Sequence, residues 1–286
     1  METKKTAVVL EGGGMRGAYT AGALSWLVDN GIEADNAYGI STGAVHLCNY
    51  LMKNMQNLFD FSTDYIADKK FVGIRPILSC GRIVNYDLLF DEFLKKEIGF
   101  DISPLKDIKT DGYIGVYDLA DAKTNYISIH DIDYTELKAA CTLPVLGKTV
   151  HKDGHDILDG GITKMIPIEK AVEDGCNACI VITTKPGDYV RKPAKEPIIQ
   201  IMKMCYPSCK QISEDYRVRH INYNDQISLI KKLEEEKKAV YIFPSKSSNV
   251  SRLGGSKEEL RELYELGRSD MEARREEILT LFNKNV

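Results

Sequence analysis

Three clusters of residues in this chain have types and spacings that could do chemistry together. The first is Gly39-Ile40-Ser41-Thr42-Gly43, a serine with a glycine two residues to either side. A serine on so tight a turn is driven into strained backbone angles, and only glycine at the flanking positions lets neighbouring chain pass closely, so the hydroxyl stands exposed. The second is Gly12-Gly13-Gly14-Met15-Arg16-Gly17. A glycine run at the start of a helix presents backbone N–H groups, here of Gly12, Gly13, Gly14 and Met15. With the N–H of Thr42 they form a donor set suited to the negative oxygen of a tetrahedral intermediate. The third is Asp159-Gly160-Gly161, a carboxyl group whose neighbours carry no side chains to block its approach to a nucleophile. Ser41 as nucleophile, Asp159 as general base and the glycine loop as oxyanion hole spell acyl transfer. An aspartate of ordinary pKa, about 3.9, is a weak base near pH 7, so the arrangement calls for a buried Asp159 with a raised pKa.

These groups need elements to hold them. Residues 6–10 read as a short buried strand, followed by a helix through Asn30 with Ala21, Leu24, Leu27 and Val28 on its inner face and Gly31 as a left-handed cap. A strand at Asn36–Ile40 leads to Ser41, and Ala44, Cys48, Leu51, Met52 and Met55 give the next helix an apolar face. Two strand-loop-helix units therefore carry a glycine loop at the C-terminal end of their strands, the edge where open α/β sheets build sites. Further strands are expected at Tyr113–Leu119, Asn125–His130 and Ala178–Thr183. A hairpin over Thr149–Asp159 turns at Asp153-Gly154 and delivers Asp159 at a strand end. Helices are expected at Tyr86–Glu97, Tyr134–Cys141 and Pro167–Asp174, and the region 56–111 is otherwise loosely patterned. From Ile198 onward the chain reads as mostly helical, including Asn222–Lys238, with a short strand at Ala239–Phe243 and a helix opened by the capping box Ser256-Lys257-Glu258-Glu259.

The 286 residues, 43% hydrophobic and 28% charged, have the composition of an ordinary globular protein. A net charge of −4 with scattered Lys and Arg argues against nucleic-acid binding. The opening Met1-Glu2-Thr3-Lys4-Lys5 leads into only a short apolar run, so no secretory leader is expected, and no stretch is long and apolar enough to span a bilayer. A cytoplasmic protein that can visit a membrane surface is the expectation. Seven irregularly spaced cysteines fit reduced thiols better than a disulfide framework. Cys176 and Cys179 read as structural, Pro207 between Cys205 and Cys209 argues against a metal site, and no cofactor or metal is expected. The sequence sets no oligomeric state.

Blander and rival readings stand beside this one and rank below it. Ser41 could simply cap the following helix. Gly12, Gly14 and Gly17 also satisfy a dinucleotide fingerprint, with Glu33 about twenty residues beyond, although Glu33 precedes its strand instead of ending it. A triad Ser41–Asp159–His220 has a workable chain order, but too few strands precede the serine for that fold. His151 and His155 should project to opposite faces of the hairpin, which excludes a shared metal. Arg16 can orient the glycine loop, meet an anionic head group or pair with a carboxylate. A protein that keeps the fold for binding or regulation, without turnover, remains an alternative of a different class.

The three motifs, in this order, resemble those of the patatin-like phospholipases, acyl hydrolases that use a Ser-Asp dyad. Gly12–Gly17 is similar to the family's oxyanion loop, Gly39–Gly43 to its nucleophile elbow and Asp159-Gly160-Gly161 to its base motif. Cys141-Thr142-Leu143-Pro144-Val145 resembles the proline-containing segment before the aspartate. Glu11 stands where many relatives have Asp. The resemblance covers about residues 5–190, and 200–286, with Arg219-His220-Ile221-Asn222-Tyr223-Asn224, is similar to the C-terminal extension of a bacterial subgroup. It implies a three-layer α/β/α fold with a mainly parallel sheet and hydrolysis of a lipid or other acyl ester. A catalytic domain over 1–197 and a mostly helical extension over 198–286 packed on or beside it follow from the same comparison. Ser41 and Asp159 become the catalytic pair, Arg16, Gly17, Gly39, Gly43, Gly160 and Gly161 its support. Peripheral contact with a membrane would bring the enzyme to its substrate.

Overall fold

The structure, a computed structural model, describes residues 4–282. Residues 1–3 and 283–286, which open and close the two expected segments, lie outside the described residues. Strand β1 (Thr6–Leu10) leads through the glycine loop into α1 (Gly17–Asp29), and β2 (Asn36–Ile40) leads through Ser41 into α2 (Thr42–Leu51). Two short helices, α3 (Met55–Asp60) and α4 (Ile74–Cys80), and a π-helical stretch, Leu88–Glu97, fill the loosely patterned region. Then come β3 (Asp111–Asp118), β4 (Lys123–Ser128), α5 (Tyr134–Cys141), β5 (Val150–Lys152), β6 (His155–Asp159), α6 (Ile168–Glu173) and β7 (Ala178–Ile182). The C-terminal part supplies α7 (Glu196–Cys205), α8 (Gln211–Glu235), β8 (Ala239–Ile242), α9 (Lys257–Ala273) and α10 (Arg275–Phe282).

The eight strands form one sheet in the order β5-β6-β3-β2-β1-β7-β8, with β4 on the remaining edge of β3. Strands β3, β2, β1, β7 and β8 are parallel, and β4, β5 and β6 add an antiparallel margin. Alternation along the strands divides the core. Val8, Leu10, Ile180 and Ile182 face one layer of helices, whereas Ala7, Val9, Cys179 and Val181 face the other, against Ile227 and Ile230 of α8. The result is three layers, α/β/α, as the family resemblance implies.

Helix α1 departs from its expected single apolar face. It is buried on every side from Gly17 to Leu27, because α9 crosses its outer surface. A Cβ on Gly22 would lie 1.9 Å from the Tyr264 carbonyl oxygen, and one on Gly267 would lie 2.1 Å from that of Tyr19. Only glycine permits so close a crossing. Polar ties flank it: Trp26 Nε1 donates to Glu272 at 2.7 Å and Tyr19 to Asp270 at 3.0 Å. Helix α8 also begins eleven residues before the expected Asn222. Its inner face carries Ser213 and Arg219 among Ile212 and Tyr223, and those polar residues mask the periodicity. The hairpin turns as expected, with Lys152 opposite His155, His151 opposite Asp156, and positive φ at both Asp153 and Gly154.

Candidate active site

One strand acts as the ruler for the site. Strand β3 pairs with β4 along one edge, from Tyr113 to Asp118. Its other edge is shared: β2 occupies it as far as Ile40 opposite Gly115, and β6 takes over at Asp159 opposite Val116. Strands β2 and β6 run toward each other along this edge and stop at adjacent positions. Ser41, one residue beyond Ile40, and Asp159 therefore meet in the gap between two strand ends.

Ser41 has φ 58° and ψ −130°, a conformation sparsely populated by residues with a side chain and worth about 1–3 kcal/mol of strain. The strain is held by close packing: a Cβ on Gly39 would sit 2.5 Å from the Gly43 carbonyl oxygen, and one on Gly43 would sit 3.0 Å from that of Glu11. The Ser41 side chain makes no capping hydrogen bond to α2, so the bland role for this serine is not the one adopted. The segment Cys141–Val145 clamps both partners. Cys141 donates its thiol to the Ser41 carbonyl at 3.2 Å, and the Asp159 N–H donates to the Thr142 carbonyl at 3.0 Å.

Asp159 is buried. Burial is the strongest influence on its carboxyl and raises its pKa; the Ser41 hydroxyl, the Gly161 N–H, Arg219 and Arg252 pull the other way without reversing it. The Gly161 N–H reaches Asp159 Oδ1 at 2.7 Å and fixes the side-chain rotamer. Gly160 packs directly on Gly115 of β3, where a Cβ would lie 2.7 Å from the Gly115 carbonyl.

The glycine loop is sorted by what its N–H groups already bind. Gly12 donates to the Met165 carbonyl at 3.3 Å and Met15 to the Arg252 carbonyl at 3.0 Å, so these two groups shape the loop instead of lying open, as the sequence reading had them. Gly13 makes a long contact of 3.3 Å to Thr42 Oγ1. The N–H groups of Gly14 and Thr42 have no acceptor among the described residues, and both residues line the same cavity as Ser41. Gly14 adopts φ +58°, and a Cβ there would strike the Arg252 carbonyl. Gly17 packs against the ring of His46, which is wholly buried, donates to or accepts from Ser62 at 3.0 Å, and is held neutral by burial with a pKa of about 3. Glu11 anchors the base of the loop to the end of β7 by accepting from Thr184 N and Oγ1 at 2.5 and 3.0 Å.

Two cavities open on this centre. A narrow apolar slot of about 40 Å³ runs from Ser41 and Gly14 past Phe61, Phe71, Leu89 and Phe90, residues of the loosely patterned middle region. A wider cavity of about 240 Å³ lies on the other side, lined by Asp159, Gly161, Leu143, Met202, Tyr216, Arg219 and Arg252. Arg219 is buried and donates from Nε to the Gly161 carbonyl at 2.5 Å. Burial lowers its pKa, and Arg191 and Arg252 lower it further. Burial pushes the Tyr216 phenol up, but Arg219, Arg252 and Arg191 outweigh that and bring it below 10. Sequence reasoning missed these residues. The signal was present in α8, where Ile212, Tyr216, Arg219 and Tyr223 share the inward register of the helix.

The rivals fare differently. His220 bonds the Arg217 carbonyl of its own helix at 3.1 Å and makes no hydrogen bond to Ser41 or Asp159. Glu33 is exposed, pairs with Lys53 and stands before β2, at the opposite end of the strand from the glycine loop, where a ribose held near that loop is out of reach. Arg16 has its Nε buried without a hydrogen-bond partner and makes no ion pair among the described residues. Cys205 is exposed and Cys209 buried, and no cluster of three or more potential metal ligands exists among the described residues.

The sequence profile of the patatin-like phospholipases matches residues 8–172, more than half of the chain, so the protein belongs to the patatin-like phospholipase family and, at that level, is a lipolytic hydrolase. A second profile, a domain of unknown function (DUF6363), matches residues 209–283. The uncharacterised protein YjjU of Escherichia coli (strain K12) is 25% identical over 270 residues, spanning 92% of this chain and 75% of that protein. In fold, the chain is similar to the crystal structure of VipD from Legionella pneumophila, with a TM-score of 0.53 and 13% identity over 98% of this chain and 67% of that one.

Proposed function

We propose that the protein is a serine acyl-ester hydrolase acting on lipid or related acyl esters through a Ser41–Asp159 dyad. The observation that carries this reading is the head-on meeting of β2 and β6 on one edge of β3, which brings a strained, uncapped serine beside a buried aspartate. Asp159 takes the proton from Ser41 Oγ as that oxygen bonds to the ester carbonyl carbon. The developing oxyanion accepts hydrogen bonds from the open N–H groups of Gly14 and Thr42, each worth roughly 100- to 1,000-fold in rate. Collapse breaks the bond to the alcohol oxygen, which leaves with the proton from Asp159. Water then repeats the sequence on the acyl-serine and releases the acid.

The apolar slot beside Ser41 suits an acyl chain. Exposed apolar side chains stand on α4, just after the slot residue Val72, and on α7, which lines the wide cavity: Ile74 (75% exposed), Leu78 (83%) and Met204 (80%) support peripheral contact with a lipid surface. No helix among the described residues is long and apolar enough to cross a membrane. The division into a catalytic segment over 1–197 and a C-terminal segment over 198–286 packed on it is supported by the limits of the two matching profiles and by the crossing of α9 over α1. A fluorophosphonate probe tests the central claim: it should label the wild type and not Ser41→Ala. Absence of labelling on folded wild-type protein favours the alternative, a binding or regulatory protein that keeps the fold.

A further inference from the structure

The segment around α4 has a surface that the Ser41–Asp159 pair does not account for. Ile74, Ile77 and Leu78 lie three and four residues apart, on one face of the helix, and all three are exposed. Beyond them every residue through Ile83 is exposed as well. Single apolar side chains in solvent need no explanation, but a cluster of this kind does. The charges here have one sign. Lys69, Lys70, Arg75 and Arg82 fall in the stretch 69–86, which holds no Asp or Glu, in a chain whose net charge is −4. Among the described residues only Lys70 of these four pairs with a carboxylate, Asp68 at 3.9 Å. An apolar helix face flanked by unpaired cations is matched to a lipid surface that carries negative charge.

This surface is joined to the slot beside Ser41. Val72 and Val84 pair as an isolated antiparallel bridge, the Gly73 N–H donates to the Ile83 carbonyl at 2.9 Å, and both valines line the slot. Residues 73–83 are therefore a loop whose stem is slot wall. Gly73, at φ +105°, and Gly81, at φ +70°, have open space where a Cβ would lie, so the backbone is free to turn at both. The slot itself is small, about 40 Å³. A group the size of a water needs about 10–15 Å³ of such space, so the slot holds roughly three methylene groups, far short of the acyl chain of a membrane lipid. We propose that residues 73–83 dock on an anionic lipid surface, and that docking moves the stem and widens the slot for an acyl chain. Lipid esters are then hydrolysed at the surface, and in solution only esters of short acids. The docking stands by itself; the widening rests on the hydrolase reading above.

Vesicles test the docking without turnover. Ser41→Ala protein should bind vesicles of phosphatidylcholine with phosphatidylglycerol about tenfold more tightly than phosphatidylcholine alone, and added salt should weaken the difference. In that background Leu78→Glu should lower binding about tenfold, and Arg75→Gln combined with Arg82→Gln by a similar factor. All three side chains are exposed, so with Ser41 in place these variants should keep the fold and the wild-type turnover of a soluble butyryl ester. In Leu78→Trp the emission should shift to the blue on anionic vesicles, because the one native tryptophan, Trp26, is already buried. For the slot, an octyl fluorophosphonate should label Ser41 about tenfold faster once anionic vesicles are present, and Leu78→Glu should lose that acceleration. A methyl fluorophosphonate should label at an unchanged rate. Equal affinity for neutral vesicles, or binding unchanged in both sets of variants, overturns the docking surface, as does a dimer held by this face that binds no vesicle. Binding without faster octyl labelling overturns the widening and leaves the surface. Vesicle binding by a protein whose Ser41 takes neither reagent keeps the surface and removes the hydrolase.

Discussion

The two cavities that meet at Ser41 and Asp159 are built from opposite materials. The slot on the serine side is mainly aromatic and aliphatic, and most of its apolar lining comes from residues 61–90, joined by Leu143, Leu253 and Arg252. The cavity on the aspartate side mixes apolar walls with arginines contributed by the C-terminal part. Between them lies a seam made of strand ends and glycines, where Ser41 and Asp159 meet. On the proposed reading the three parts take separate tasks: the seam the reaction, the slot the acyl chain and the wide cavity the alcohol. Substitutions in either wall away from Leu143 and Arg252, which line both cavities, should leave the preference governed by the other unchanged.

The seam should give the largest effects, because both walls depend on it. Ser41→Ala and Asp159→Asn should each lower kcat by about 10⁴-fold with either kind of substrate, and circular dichroism should show an intact fold. Retained turnover in Asp159→Asn would remove its role as base. Gly12→Ala comes next. Its Cβ would lie 2.6 Å from Ser41 Cβ and 3.0 Å from the Ile40 carbonyl oxygen, with no flexible side-chain end to yield. The loop must shift, carrying the Gly14 donor with it, for a loss of about 100- to 1,000-fold in kcat and little change in either substrate preference.

The walls themselves should give smaller and separable effects. Leu89, buried in the slot, can be replaced by Trp to fill the narrow volume. Assayed on a series of acyl lengths, Leu89→Trp should shift kcat/KM toward short chains by about tenfold while the preference among alcohol groups stays put. A simultaneous change in both preferences would mean that the cavities communicate through Arg252, which lines the two of them.

How much of this was legible in the sequence follows from how each part is encoded. The seam was readable because its backbone demands are written as glycines at fixed spacing: Gly39 and Gly43 around Ser41, Gly14 at positive φ, Gly160 against Gly115. The hairpin that delivers Asp159 was readable from Asp153-Gly154. The edge of β3 that aligns Ser41 with Asp159 was not, since it depends on pairing between strands far apart in the chain. The sequence also could not tell which loop N–H groups were already bound, because the acceptors, Met165 and Arg252, lie far downstream. The wide cavity was hidden for the same reason: Arg219 and Arg252 join Asp159 there from positions far downstream in the chain. Arg219 then occupied an inward position of α8 and disguised the start of that helix.

The smallest effect expected is on stability, and it contrasts two buried groups. Burial raises the Asp159 pKa, so the folded state holds its proton more tightly than the unfolded chain does. The stability from that proton is fully present below about 3.8 and is lost as pH rises through the raised value. Asp159→Asn removes the buried charge and should raise Tm by a few °C near pH 7, with the gain disappearing in acid. The same raised pKa places the acidic limb of kcat/KM on a soluble ester above the ordinary aspartate range, because the base works only when ionised. His46 behaves in the opposite sense. Its pKa, lowered to about 3 by burial, gives stability that is present above about 6.5 and is lost as pH falls through the folded value. Melting curves should therefore show the Asp159→Asn gain at neutral pH superimposed on an acid loss that this substitution leaves intact and that His46→Gln reduces. A Tm gain that persisted at pH 3 would mean that the carboxyl is held by packing and not by its charge.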